Sequence, residues 1–368
     1  MTSGLTFFDQ SVRAFGSPSR YVQGPGAIHW LGPAIAGLGD RALVVSDATV
    51  WSLLSKEIEK ALNAQNIEVV FLEFSGDLLE QTAHQIAAQV RSEVGDVVLA
   101  LGGGRAIDTG KALSELLNRP VVTVPTAAST DAPTSKNYVI YDECHRLKEV
   151  RHLPRNPAFV IVDTEILVKA PASLFAAGIG DALAKYHEAR ACASAKGRNM
   201  FHSSPTRTAL AIAAECYSTL LSLGPAAFDA LKGKKPTREF EDVVESTILM
   251  AGLGFENGGL SVAHALTRGL SQVEEAAFSP HGYQVAYGLL VQLALENEVP
   301  EPRLIELMSH VGLPASLREI LGRDATPSDF AIVADGSINV THMQNFPKKI
   351  TTDALIDAMQ SVEQNSKT

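Results

Sequence analysis

In the first half of the chain, apolar residues gather in short runs rich in β-branched side chains. These runs are Ala42–Ser46, Val69–Leu72, Val97–Leu101, Val121–Val124 and Phe159–Val162. Each is nearly continuous rather than alternating, which predicts strands of a parallel sheet covered on both faces. Between them lie stretches with helical spacing, among them Glu80 to Val94 and Ala106 to Leu117. Strand, helix and strand in this rhythm predict βαβ units and a doubly wound α/β domain.

Beyond Pro171 the pattern changes to long stretches rich in Ala and Leu. Leu174–Ala193, Pro205–Leu223, Phe240–Leu253, Ser261–Leu270 and Gln284–Leu295 all read as helices, with no strand alternation among them. The segment Asp163–Pro171 is the natural boundary, since proline suits the first turn of a helix. The expected organisation is an α/β domain over 1–167 and an all-helical domain over 168–368, with a basic loop at Gly233–Pro236.

Composition narrows the class of function. With 368 residues, 46% hydrophobic and 20% charged, the chain has ample core for about two domains and is not disordered. A net charge of -10 argues against a nucleic-acid partner. No apolar run approaches the ~18–20 residues of a membrane span, so no membrane partner is expected. Met1–Phe15 lacks the apolar block of a secretory signal. Cys144, Cys192 and Cys216 are too few and too scattered for a disulfide framework, which points to a reduced, cytoplasmic setting.

Three segments suggest a nucleotide. Gly102-Gly-Gly104 follows a strong strand and opens a helix, so backbone N–H groups and the positive helix end could cradle a diphosphate. It is not a GxGxxG fingerprint, and simple packing is the competing reading. Asp47 ends the first strand, where a carboxylate commonly meets a ribose and would repel a 2′-phosphate; a helix N-cap is the plainer role. Pro125–Pro133 packs three hydroxyls and a carboxylate at the same sheet edge.

Metal candidates are fewer. His29, His84, His145, His152, His202, His310 and His342 lie in polar or loop contexts. His264 sits in the apolar helical stretch Ser261–Leu266 and His281 at the entry to another helix. Asp181 is a charged side chain in an apolar, glycine-rich setting, where a buried carboxylate requires a cation or several donors. One Asp with two His forms a three-ligand divalent site with open positions, although spacing alone does not bring them together.

Tyr21–Gly26, Gly102–Gly104 with Asp108 and Lys111, Pro125–Pro133, Ile161–Thr164, Ala176–Ala184, Gly254–Leu260, Ala263–Ala265 and His281–Gly282 together resemble the iron-containing (group III) alcohol dehydrogenase family. The likeness runs through almost the whole chain. Ala128–Pro133 resembles its glycerol dehydrogenase branch most specifically, and dehydroquinate synthase is a relative. The resemblance implies an N-terminal Rossmann-like doubly wound sheet binding NAD and a dehydroquinate synthase-like helical domain holding a metal, with substrate in the cleft between them.

It further implies that Gly103, Gly104, Arg105, Ala106, Ile107 and Asp108 hold the diphosphate, and that Asp47 meets the adenosine ribose. Thr126, Ser129, Ser135, Tyr141 and, less specifically, Asn137 surround the cofactor. Asp181, His264 and His281 match the zinc ligands, one ion per subunit, with Fe2+ or another divalent ion as the alternative. Asp131 matches a carboxylate that hydrogen-bonds a polyol hydroxyl, and is catalytic together with His264. The implied activity is NAD-dependent, zinc-assisted oxidation of glycerol and related vicinal diols, glycerol giving dihydroxyacetone, in a homo-oligomer for which the family suggests an octamer. A 2-hydroxy acid or 2-oxo acid oxidoreductase and a dehydroquinate synthase-like lyase are the alternatives.

Two positions depart from the family pattern. Where the iron-dependent branch carries a further histidine four residues after the metal Asp, this chain has Lys185, which predicts three protein ligands. Lys185 itself is expected to be a solvated or core-edge lysine, with contact to an anionic substrate as the alternative. Arg105 either helps hold the diphosphate or faces water. His187 and Glu188 are expected to be structural or to support the ligands from behind.

Overall fold

The computed structural model describes residues 12–90, 95–143 and 147–365. The α/β half runs β1 (Tyr21–Gly24), α1 (Leu31–Ala36), β2 (Arg41–Ser46), α2 (Ala48–Asn63), β3 (Glu68–Glu73), α3 (Glu80–Val90), β4 (Val97–Gly102), α4 (Gly104–Leu117), β5 (Val121–Pro125), β6 (Asn137–Tyr141), β7 (Leu147–His152) and β8 (Phe159–Asp163). Residues 91–94, the expected end of the helix after β3, and Cys144 and His145 lie outside the described residues.

The five predicted strands join β1 in a six-stranded sheet of order β1-β8-β5-β4-β2-β3, parallel throughout. β4 and β5 are buried along their whole length, as continuous apolar runs require. Helices α1 and α2 cover one face, and α3 and α4 the other. The chain moves outward from β2 to β3, then returns to place β4 on the other side of β2. The order therefore reverses between β2 and β4, and their carboxyl ends frame the crevice where such sheets take ligands.

Three strands went unpredicted. β1 has only four half-buried residues and holds its place by pairing with β8. β6 and β7 form an antiparallel hairpin in which β7 is largely polar, so neither apolar run nor alternation marks it.

The second half continues as α5 (Thr164–Leu167), α6 (Ala172–Ser194), α7 (Arg207–Gly233), α8 (Arg238–Glu245), α9 (Ala251–Gly258), α10 (Val262–Leu270), α11 (Glu274–Ala277), α12 (His281–Glu296), α13 (Pro302–Val311), α14 (Leu317–Leu321), α15 (Pro327–Ile338) and α16 (Thr352–Asn365). No strand occurs there among the described residues. The largest core of the molecule lies among these helices, and Ala128, Val160 and Val162 of the α/β half belong to it.

α7 starts where the Thr206 side chain accepts the Ala209 N–H, and it passes its expected end through Pro225 to Gly233. By length and composition alone it is the one described helix long and apolar enough to cross a membrane. It packs against α6, α8 and α9. The single helix expected over Phe240–Leu253 is interrupted by a π turn at Ser246–Met250. The Ile248 carbonyl in this turn accepts the Thr134 hydroxyl at 2.7 Å, tying the helical half to the loop after β5.

Candidate active site

The glycine turn lies at the end of β4, directly at the strand-order reversal. Gly102 has φ +145°, in the region L side chains avoid, and Gly103 is the extended N-cap residue of α4 with no side-chain cap. The first turn of α4 therefore offers backbone N–H groups with nothing of its own covering them. Ile107 is buried in the core, so it can meet a ligand only through its backbone. Ala106 is buried too, while Arg105 is largely exposed and lies 3.5 Å from Asp77.

Asp47 is the N-cap of α2: its Oδ1 accepts the Val50 N–H at 2.9 Å. The plainer role thus exists, and it leaves Oδ2, which borders Gly102, without that duty. Asp108 points toward the hairpin, where Oδ2 accepts the Val139 N–H, and burial raises its pKa to about 7. Tyr141 lies within the field of Asp108 and Asp77, and burial with these carboxylates raises its pKa.

The loop after β5 is braced from three sides. The Thr126 N–H donates to the Gly102 carbonyl, and Thr123 Oγ1 donates to the Pro133 carbonyl. The buried Lys111 of α4 donates to the Ala132 carbonyl at 2.5 Å and the Asn137 carbonyl at 2.7 Å. Glu256 of α9 accepts the Lys136 N–H at 2.9 Å and the Asn156 side chain at 2.6 Å. Ser135 is buried in this framework, and the Asn137 side chain meets His152 Nδ1 at 2.6 Å. Ser129 stays partly accessible near the start of the loop.

Asp181, His264 and His281 come together from α6, α10 and α12, their candidate ligand atoms all within 4.8 Å of one another. Asp181 Oδ1 is 3.1 Å from His264 Nε2 and 3.8 Å from His281 Nε2. Two glycines permit this convergence. A Cβ on Gly282 would lie 1.7 Å from the Ala177 carbonyl oxygen, and one on Gly178 would lie 1.9 Å from the Ala128 carbonyl oxygen. Only glycine lets α12 and the β5 loop lie this close to α6.

The buried Glu188, two turns beyond Asp181, accepts the Ser261 and His264 backbone N–H groups, each at 2.9 Å. Its other oxygen accepts His264 Nδ1 at 2.6 Å, which turns Nε2 toward Asp181. Burial opposes ionisation of Asp181, but Lys185 and His264 overturn that and hold it below the usual carboxylate range. Burial also works against a charged His264, yet Glu188 raises its pKa to about 9.

Lys185 corrects the expectation of a solvated or core-edge side chain. It is 1% exposed, with Nζ 2.8 Å from Asp181 Oδ1, 2.9 Å from His264 Nε2 and 2.9 Å from Asp131 Oδ2. Burial would lower its pKa, and the Asp131, Asp181 and Glu188 carboxylates more than reverse that. Asp131 is itself buried, which raises its pKa against the pull of Lys185.

The donor set suits a divalent ion. One carboxylate oxygen and two imidazole nitrogens at these separations can each come within ~2.0–2.2 Å of a common point after small side-chain shifts. His187 lies outside this group. Neither of its ring nitrogens has a hydrogen-bond partner among the described residues, and the nearby Glu296 and Glu298 carboxylates are neutralised by Arg190. His342, expected to be a loop histidine, lies in the field of His264 and Lys185; burial, with these cations, pushes its pKa down to about 4.

The family model for iron-containing alcohol dehydrogenase matches residues 18–164. Glycerol dehydrogenases of Escherichia coli O6:H1 and Thermotoga maritima are each 38% identical to this chain, over 96% and 94% of it and 97% and 95% of their own lengths. The crystal structure of a probable glycerol dehydrogenase from Sinorhizobium meliloti 1021 superposes with a TM-score of 0.90 at 34% identity, covering 97% of this chain and 99% of that one. The chain belongs to the iron-containing alcohol dehydrogenase family. The expected α/β sheet with a helical second half is the architecture of this family. The full-length likeness extends family membership into the helical half, beyond the matched segment, where Asp181, His264 and His281 lie.

Proposed function

We propose that this chain is an NAD-dependent polyol oxidoreductase that converts glycerol to dihydroxyacetone at a divalent metal, zinc by its donor set. The observation that carries the reading is the meeting of Asp181, His264 and His281 opposite the buried Asp131, at the carboxyl edge of a sheet with a glycine turn. Asp181, His264 and His281 would hold the ion, and Glu188 fixes His264 with Nε2 facing it. Bound metal supplies Lewis acidity toward a substrate hydroxyl, and NAD supplies the hydride acceptor.

The remaining work belongs to the chain. Asp131 has lone pairs beyond the one facing Lys185 and can accept a hydrogen bond from a second hydroxyl, which favours diols over simple alcohols. The first turn of α4 offers its N–H groups to a diphosphate, and Asp47 Oδ2 offers an acceptor to a ribose. The braced β5 loop holds Asp131 in place and keeps this junction packed. The 2-hydroxy acid alternative needs a free cation for the substrate carboxylate. Lys185 is already shared by Asp131 and Asp181. Buried, unpaired Cys192 and Cys216 suit the reducing cytoplasmic setting we infer.

The direct test supplies zinc and NAD with glycerol, 1,2-propanediol and 2-hydroxy acids, and follows NADH absorbance. Continuous NADH formation with the diols is expected, and turnover confined to hydroxy acids would overturn the assignment. Two variants probe the parts. Glu188→Gln should weaken zinc binding by about 10–100-fold in a chelator competition, as loss of a ligand's orienting partner does; equal affinity would remove its proposed role. Asp47→Gly should shift the kcat/KM ratio of NAD to NADP toward NADP, because the carboxylate that repels a 2′-phosphate is gone. An unchanged ratio would leave Asp47 as a helix cap alone.

A further inference from the structure

We propose that Lys185 is a tethered counter-cation that competes with the metal for Asp181 and His264 and holds the site together when no metal is bound. This rests on the metal reading above. Residue i+4 on a helix lies over residue i, so α6 carries the ammonium directly back onto Asp181. Nζ touches Asp181 Oδ1 and His264 Nε2 at 2.8 and 2.9 Å, and these two atoms are also proposed metal donors. The Asp181 lone pair that accepts the lysine N–H is not available to an ion, and an ammonium beside His264 Nε2 repels one, so the metal enters only as Lys185 withdraws.

The withdrawal has a place to go. Asp131 Oδ2 already lies 2.9 Å from Nζ, and the Phe255 ring faces the ammonium at 5.0 Å. Asp131 is not among the proposed ligands, so Lys185 can rest on it while Asp181 and His264 turn to the ion. Three carboxylates, Asp131, Asp181 and Glu188, are buried around this one lysine. Their charge accommodates both the ammonium and a divalent ion. Without either cation they would be left buried and mutually repelling. One lysine thereby serves two states: it screens Asp181 before metal arrives and neutralises Asp131 afterwards.

The experiment compares wild type with Lys185→Met and Lys185→Gln, which are unbranched near Cα, one atom shorter than lysine, and remove the charge. Zinc dissociation constants come from chelator competition, and melting temperatures are measured with and without zinc. Both variants should bind zinc about tenfold to a hundredfold more tightly, because the charge-assisted hydrogen bond to Asp181 no longer has to be broken and the like charge beside the ion is gone. Without zinc both should melt lower than wild type, so zinc should raise their melting temperatures further than it raises that of wild type. A variant that folds only with zinc also supports the proposal. Folded variants with equal or weaker zinc affinity overturn it; a lysine that merely filled the core would give that result. Wild-type protein that binds no zinc, or binds it equally well after His264→Ala, would remove the metal reading itself and this inference with it.

Discussion

His264→Ala should leave the protein unable to retain zinc and reduce glycerol turnover by about a thousandfold or more, the scale on which a Lewis-acid metal stabilises developing charge. NAD binding, followed by quenching of protein fluorescence, should stay close to that of wild type. The separation follows from the architecture. His264 is on α10, whereas the glycine turn and Asp47 belong to the sheet edge. Full turnover in the variant would place the metal elsewhere. Loss of NAD binding along with zinc would mean that the two sites are not the separate structures described.

The second large effect is expected from a residue with no chemistry of its own. In Gly178→Ala the new methyl would lie 1.9 Å from the Ala128 carbonyl oxygen and 2.9 Å from its carbon, both backbone atoms. The β5 loop has to retreat from α6, and Asp131 is three residues beyond Ala128. Displacing a substrate-binding group by about 1 Å costs on the order of a hundredfold in rate, and overpacking costs about 1–3 kcal/mol of stability. The expected result is a lower kcat/KM for glycerol by about that factor and a lower melting temperature. Gly233→Ala, where an added methyl meets nothing within 4 Å, is the control and should change neither. Wild-type kinetics in Gly178→Ala would show that the loop position does not matter.

What the sequence disclosed, and what it hid, follows from burial. Strands such as Val97–Gly102 are covered on both faces and have no polar member, so composition alone marks them. β1 and β7 owe their existence to pairing, and a single line of residues does not record its partners. Asp181 and His264 are separated by 83 positions, and their contact depends on glycines whose reason is steric and visible only in three dimensions. The family resemblance supplied the grouping that spacing alone withheld.

Lys185 was misread for a related reason. α6 is a central helix in which Asp181, Lys185, His187 and Glu188 are all buried, so it has no polar face to show which way a charged side chain turns. Glu188 had a clearer signal: two turns past Asp181, it lies on the same side of the helix and reaches the same neighbours. Pro225 and the π turn at Ser246–Met250 misled for the opposite reason, because tertiary packing overrode the local preference to end or continue a helix.

Ala128, Val160 and Val162 are embedded in the same apolar mass as α6, α10 and α12, so the α/β half and the helical half share part of their core. Cutting the chain between the halves would expose that shared surface to water, so neither half expressed by itself should reach its native fold.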